Sequence, residues 1–107
     1  PSRTRVFKVA PRVLIDNAVS AKHTGIELNG RDRLGFLSDI TQTLMDNGLQ
    51  IASAHVATYG ERVVDVFYVK DVFGLKIAHD NKLEAVRAAL LATIRPPGTS
   101  DANGVEK

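Results

Sequence analysis

Hydrophobic and polar positions along the chain fall first into strand-like and then helix-like periods. Pro11-Arg12-Val13-Leu14-Ile15-Asp16-Asn17 is a β-branched run opened by Pro and closed by Asp-Asn, which predicts a strand over 12–16. A polar connection, 17–22, leads to a second strand over 23–29. Its strict alternation puts Thr24, Ile26 and Leu28 on a buried face and His23, Glu27 and Asn29 on the other. The short polar link makes the two strands an antiparallel pair. The period then becomes helical over 36–47, where Leu37, Ile40, Leu44 and Met45 form one apolar stripe. Gly48 stops this helix at the position that favours a left-handed backbone, and Leu49 supplies the apolar contact that accompanies such a stop.

A third strand covers 50–59 and is rich in small residues, which lets another group approach closely. Gly60-Glu61 turns it into a fourth, over 62–70. Val64, Val66 and Tyr68 lie on one side of that strand, and Val63, Phe67 and Val69, with Asp65, on the other. A strand apolar on both sides is central in its sheet or covered by a partner. The second helix is expected over 81–94, with Asn81 and Glu84 at capping-box spacing and Leu83, Val86, Leu90 and Ile94 as its stripe. Arg95-Pro96-Pro97-Gly98 ends it.

The order is therefore ββαββα, an α+β fold. The expected form is a ferredoxin-like two-layer sandwich, an antiparallel four-stranded sheet with both helices on one face. The usual ferredoxin-like order is βαββαβ, with the last strand beside the first. Here the last strand is missing and an extra one precedes the first helix. Strand 12–16 is expected to fill the vacant edge, antiparallel to 23–29. Residues 1–11 read as an N-terminal arm, 12–95 as the domain and 96–107 as a disordered tail.

Composition narrows the function classes. The 107 residues, 44% apolar, suit one domain with one modest core. No apolar run approaches the ~20 residues of a membrane span, so no membrane partner is expected. There is no cysteine, which removes disulfides and thiolate sites and fits a reducing, cytoplasmic setting. The net charge of +2 is spread among acids and forms no basic stripe, so no nucleic-acid partner is expected. RNA-binding sheets of this general fold stack bases on exposed aromatics; here Phe67 and Tyr68 fall on opposite faces of their strand, and strand 50–59 offers only Tyr59. His23, His55 and His79 have no metal-ligand spacing, and no nucleophile motif occurs. The polar opening without an initiator Met points to a segment of a longer polypeptide.

One stretch carries ligand chemistry: Asn29-Gly30-Arg31-Asp32-Arg33-Leu34-Gly35-Phe36-Leu37. It is a strand-to-helix turn, where free backbone N–H groups at a helix start attract an anion. By pattern alone, Asp32 equally suits a simple helix cap and Gly35 a simple turn residue.

The pattern Gly30 to Leu37, then Asn47-Gly48-Leu49-Gln50-Ile51, then a hairpin, resembles the ACT domain. The run from Ile51 to Asp71 is similar to the C-terminal ACT domain of the bacterial PII uridylyltransferase/uridylyl-removing enzyme family. The resemblance covers roughly 11–95. It implies a regulatory module that senses an amino acid, glutamine in that family, and sets the balance between adding UMP to the PII protein and removing it in nitrogen regulation. The implied partners are the amino acid, a second ACT domain and, through the parent enzyme, PII. The module itself is then neither an enzyme nor a cofactor carrier; the parent is a nucleotidyltransferase and hydrolase, with Mg expected in its catalytic part.

The ligand's carboxylate is expected at the amides of Leu34, Gly35, Phe36 and Leu37, and its ammonium at Asp32 or Asn29. Arg31 and Arg33 would steer an anion or contact upstream domains. Gln50, Ile51 and Ser53 of a second copy would close the pocket. The turn departs from the family at Leu34, where Pro is common; Leu leaves the empty loop more conformational freedom. The alternative is an assembly module that pairs domains and binds no metabolite.

Overall fold

A computed structural model describes residues 11–29 and 35–94 of the chain. Six elements follow in the order β1 (Arg12–Asp16), β2 (Thr24–Asn29), α1 (Phe36–Asp46), β3 (Gln50–Tyr59), β4 (Arg62–Lys70) and α2 (Asp80–Ile94). The sheet order is β1-β2-β4-β3, and every neighbouring pair is antiparallel. Strand β1 therefore occupies the edge where a ferredoxin-like fold places its last strand. Its register sets Arg12 opposite Asn29 and Asp16 opposite Gly25. The doubly apolar β4 is central, between β2 and β3. The arm, the tail and residues 30–34 of the turn lie outside the described residues.

Both helices cover the same face. Thr24, Ile26 and Leu28 of β2 point into it, as the alternation predicts, and meet Phe67 and Val69 of β4. From the helices come Phe36, Ile40 and Leu44 of α1 and Val86, Leu90 and Ile94 of α2; Val13, Leu49 and Ile77 complete the core. Each of these fully buried aliphatic side chains stabilises the fold by about 1.5–3 kcal/mol relative to exposure. The helices are also joined by a 2.7 Å hydrogen bond between the hydroxyls of Thr43 and Thr93. Among the described residues no helix is long and apolar enough to cross a membrane.

Each helix differs from expectation in one respect. The buried stripe of α1 is Phe36, Ile40 and Leu44, whereas Leu37 and Met45 are 45% and 58% exposed. The stripe is rotated by one residue because Phe36, at the very first helical position, is large enough to reach the core. Helix α2 begins at Asp80, with the Leu83 N–H donating to the His79 carbonyl at 3.0 Å. Asn81 thus lies inside the first turn rather than capping it; Asp80 is the acid that meets the positive end of the helix dipole.

The C-terminus of α1 matches the sequence reading. Gly48 has φ 77, the Gly48 N–H donates to the Met45 carbonyl at 2.9 Å, and the Leu49 N–H donates to the Leu44 carbonyl at 3.0 Å. This is a Schellman stop, with the buried Leu49 as its apolar contact.

At this same end of the sheet, a hydrogen-bonded node fixes the 17–23 connection and the β4–α2 loop. The fully buried Thr24 hydroxyl donates to Asn17 Oδ1 and accepts the Ile77 N–H at 3.0 Å. Asn17 Nδ2 in turn donates to the Ile77 carbonyl at 2.8 Å. Replacing Thr24 with the near-isosteric Val removes the acceptor of a buried N–H. Thr24→Val is expected to destabilise the fold by about 1–3 kcal/mol, read as a lower urea midpoint at unchanged slope.

Candidate functional site

The turn after β2 leaves the sheet at the end where Leu28 faces Asp65. It enters α1 through Gly35, the N-cap, whose backbone is left-handed (φ 79, ψ 3). Nothing lies within 4 Å of where a Cβ on Gly35 would sit, so the backbone angle, not crowding, calls for glycine here. The first helical bond runs from the Asp39 N–H to the Gly35 carbonyl at 2.9 Å. Gly35 has no side chain with which to cap the helix. The amides of Phe36, Leu37 and Ser38, ahead of that first donor, are therefore oriented to take an acceptor from outside the helix. Asp39, in the first turn, draws on the same positive end of the dipole and moderates its pull on an anion.

Beside this helix start lies a cleft of about 240 Å³, lined by Leu37 and Thr41 of α1, Ala54 and Val56 of β3, and Asp65 and Phe67 of β4. It exists because β3 presents small side chains to α1 at this point. It also accounts for the exposed Leu37, which borders the cleft instead of the core. Thr41 hydrogen-bonds back to the Leu37 carbonyl at 2.9 Å. Asp65 is 2% exposed and shares the helix-covered face with Phe67. The arrangement places helix amides, a hydroxyl, a buried carboxylate and apolar walls around one concavity, suited to a small zwitterion with a short side chain.

The expected site residues are distributed as follows. Gly35, Phe36 and Leu37 stand together at the start of α1; Arg31, Asp32 and Leu34 lie outside the described residues. Phe36 is buried in the core, so only its backbone is available there. Asn29 ends β2 on the sheet's open face, lining a pocket of about 30 Å³ with Arg12, Glu27 and Arg62. Its Oδ1 is buried and accepts no hydrogen bond. Gln50 lies at the opposite end of the sheet, paired with Lys70, and its Nε2 donates to the Asp71 carbonyl at 2.8 Å. Ile51 packs against the core, and Ser53 Oγ lies 3.2 Å from His55 Nε2.

From Asp65 to Lys70 the strand rises roughly 17 Å. Within one copy, then, the α1 start and Gln50 do not flank a common ligand of amino-acid size. Sequence reasoning did not assign Thr41 or Asp65 to the site. Thr41, four residues after Leu37 on the same helix face, was the available signal; Asp65 gave none, since both faces of β4 are apolar.

The open face carries the imidazoles of His23 and His55, edge-on to the Tyr68 ring at 6.4 and 5.6 Å. Among the described residues no three His, Asp or Glu side chains gather as a metal site would require.

Comparison with known proteins agrees with this architecture. Residues 12–97 match the family described as "ACR9-like, ACT-like domain". The chain is 60% identical over 96 residues to the bifunctional uridylyltransferase/uridylyl-removing enzyme of Azospirillum brasilense, covering 90% of this chain and 10% of that protein. It is 61% identical over 94 residues to the enzyme of the same name from Rhodospirillum rubrum, covering 88% of this chain and 10% of that one. The corresponding Gluconobacter oxydans enzyme is 53% identical over 92 residues. The chain spans about a tenth of the length of the curated relatives it matches. No solved structure matches it. The ββαββα sandwich, with its glycine-entered helix beside a cleft, and the match across 12–97 show that this chain belongs to the ACT-like domain family.

Proposed function

We propose that this chain is the regulatory, amino-acid-sensing domain of a bifunctional PII uridylyltransferase/uridylyl-removing enzyme in nitrogen regulation, cytoplasmic in location, with glutamine as its ligand. The observation that carries the reading is the side-chain-uncapped start of α1 beside the 240 Å³ cleft, in a chain 60% identical to enzymes of that name. The ligand's carboxylate accepts from the amides of Gly35, Phe36 and Leu37, helped by Arg31. Its ammonium is held by Asp32, and its side chain enters the cleft between Leu37 and Val56. Gln50, Ile51 and Ser53 of a second ACT domain close the site; within its own copy Gln50 sits at the opposite end of the sheet, paired with Lys70. Ligand binding then stabilises one arrangement of two domains over another, which biases the attached activities. The domain contributes no catalytic group or cofactor; any Mg is held by the parent's catalytic portion.

A second reading, pairing without a metabolite, is favoured by the uncovered edge of β3, ten residues long. Titration calorimetry separates the two. Glutamine is expected to release heat with the paired domain, and other amino acids little or none. Absence of heat with every amino acid, on protein shown to be dimeric by sedimentation, leaves only the pairing reading.

Gly35→Ala forces a Cβ into the left-handed region at a cost of about 1–2 kcal/mol. It is expected to weaken glutamine binding by roughly five- to thirty-fold, with the far-UV circular dichroism unchanged. Unaltered affinity would remove the helix start from the site.

A further inference from the structure

The two edges of the sheet differ. The pairing of the outer strand β3 is interrupted between Ile51 and Ser53, an irregularity of the kind that blunts an exposed edge. Strand β1 carries no such device. Its register against β2 runs unbroken from Arg12 to Asp16, and Arg12-Val13-Leu14-Ile15-Asp16 contains neither Lys nor Pro. Among the described residues β1 is the last strand on its side, so its outer backbone groups form an open ladder.

The side chains of this strand are complementary to themselves. Val13 is 2% exposed, and by alternation Arg12, Leu14 and Asp16 share the open face of the sheet. Turned end for end about Leu14, the strand meets a second copy with Leu14 on Leu14, Val13 opposite Ile15, and Arg12 opposite Asp16 twice over. Antiparallel pairing requires this end-for-end relation, and a two-fold axis at Leu14 supplies it. Arg12 and Asp16 are exposed, and among the described residues neither is ion-paired within its own copy. Asp16 Oδ1 accepts the Ala18 N–H at 2.7 Å, which holds the carboxylate at the end of the strand. Leu14 is 44% exposed, an apolar side chain at the centre of the open edge.

The helix layer agrees. Helix α2 packs on β1, and α1 on β3. The flank of α2 toward α1 is marked by the Thr93–Thr43 bond and by the Lys82 Nζ bond to the Asn47 carbonyl at 2.7 Å. By helical period the opposite flank, over the outer edge of β1, carries Glu84, Arg87 and Leu91. An acid, a base and an apolar side chain stand there, so no block of like charge opposes a second copy.

We propose that β1 is an interaction edge for a second copy of this chain, joined antiparallel about Leu14, so that two four-stranded sheets become one with all the helices on the same face. Charge complementarity selects this occupant: the strand needs an acid and a base at its own spacing in reverse order, and its own copy has them. The edge lies across the sheet from β3 and the cleft, so this pairing is independent of the ligand reading.

Disulfide trapping on the 107-residue chain tests the assignment. The chain has no cysteine, so Leu14→Cys places a lone thiol on the proposed axis. Directly opposed residues of an antiparallel pair lie about 4.5–5.5 Å apart at Cα, within reach of a disulfide. Leu14→Cys is expected to form a covalent dimer at least about ten-fold faster than Arg12→Cys, whose two thiols would stand roughly 13 Å apart along the strands. Equal rates overturn the proposal, and are the outcome if copies pair through β3 alone. In the Leu14→Cys chain, Arg12→Asp or Asp16→Arg sets like charges against each other and is expected to slow the disulfide about five-fold or more. An equal mixture of those two variants is expected to recover the rate as a mixed dimer, since each then meets the opposite charge. Reversals without effect, or a mixture as slow as either variant alone, overturn the register.

Discussion

One-sided burial of the sheet is the constraint on which the rest of this structure depends. Two helices cover one face of four strands, and a single apolar layer, from Ile26, Leu28, Phe67 and Val69 on the sheet to Ile40, Leu44, Leu90 and Ile94 on the helices, holds them there. Because side chains alternate, a slip of one residue in β2 would turn Thr24, Ile26 and Leu28 out to the open face. That penalty sets the register, and the register decides where the candidate site residues lie. It leaves Asn29 at the end of the sheet marked by Leu28 and Asp65, and Gln50 at the other end beside Lys70. The cleft has the same origin. The core requires Phe36, Ile40 and Leu44 to face inward, so Leu37 swings toward β3, where Ala54 is too small to fill the gap.

Most of the fold was legible in the sequence because its strands bury one face each and say so by alternation. The pairing of β1 with β2 followed from the short polar link between them, and its place at the sheet edge from the lack of a strand-like run after the second helix. What resisted reading was local. The apolar stripe of α1 was misplaced by one residue because Phe36 and Leu37 are both apolar at the helix start, and only the packed structure shows which one reaches the core. Asn81 resembled a cap because its spacing to Glu84 is right, yet the helix starts one residue before it, at Asp80. The candidate site was legible as a turn but not as a volume. Gly35, Phe36 and Leu37 were identifiable from the helix start, whereas Thr41 and Asp65 enter only through the cleft, a product of three elements packed together.

The two-fold logic of the proposed site follows from the same geometry. A single copy offers amides and a cleft at one end of α1 and β3, and polar closing groups at the other. An antiparallel relation between two such domains brings opposite ends together, so that the α1 start of one meets the Gln50 end of the next. The ten-residue outer strand β3 leaves an edge free for that approach.

Helix α1 joins the two features that the sequence and the packing single out. Its N-terminal half borders the cleft through Leu37 and Thr41. Its last turn ends in the Schellman stop at Gly48, against which Val72 of the β4–α2 loop leans. Eleven residues of helix span roughly 16 Å, and a helix of that length moves as a rod rather than bending. Its inward face is held in the core by Phe36, Ile40 and Leu44. Strands β3 and β4 reach both places as well: Ala54, Val56, Asp65 and Phe67 line the cleft, while Gln50 Nε2 donates to the Asp71 carbonyl just past the end of β4, so three packed elements tie the two ends of the domain together.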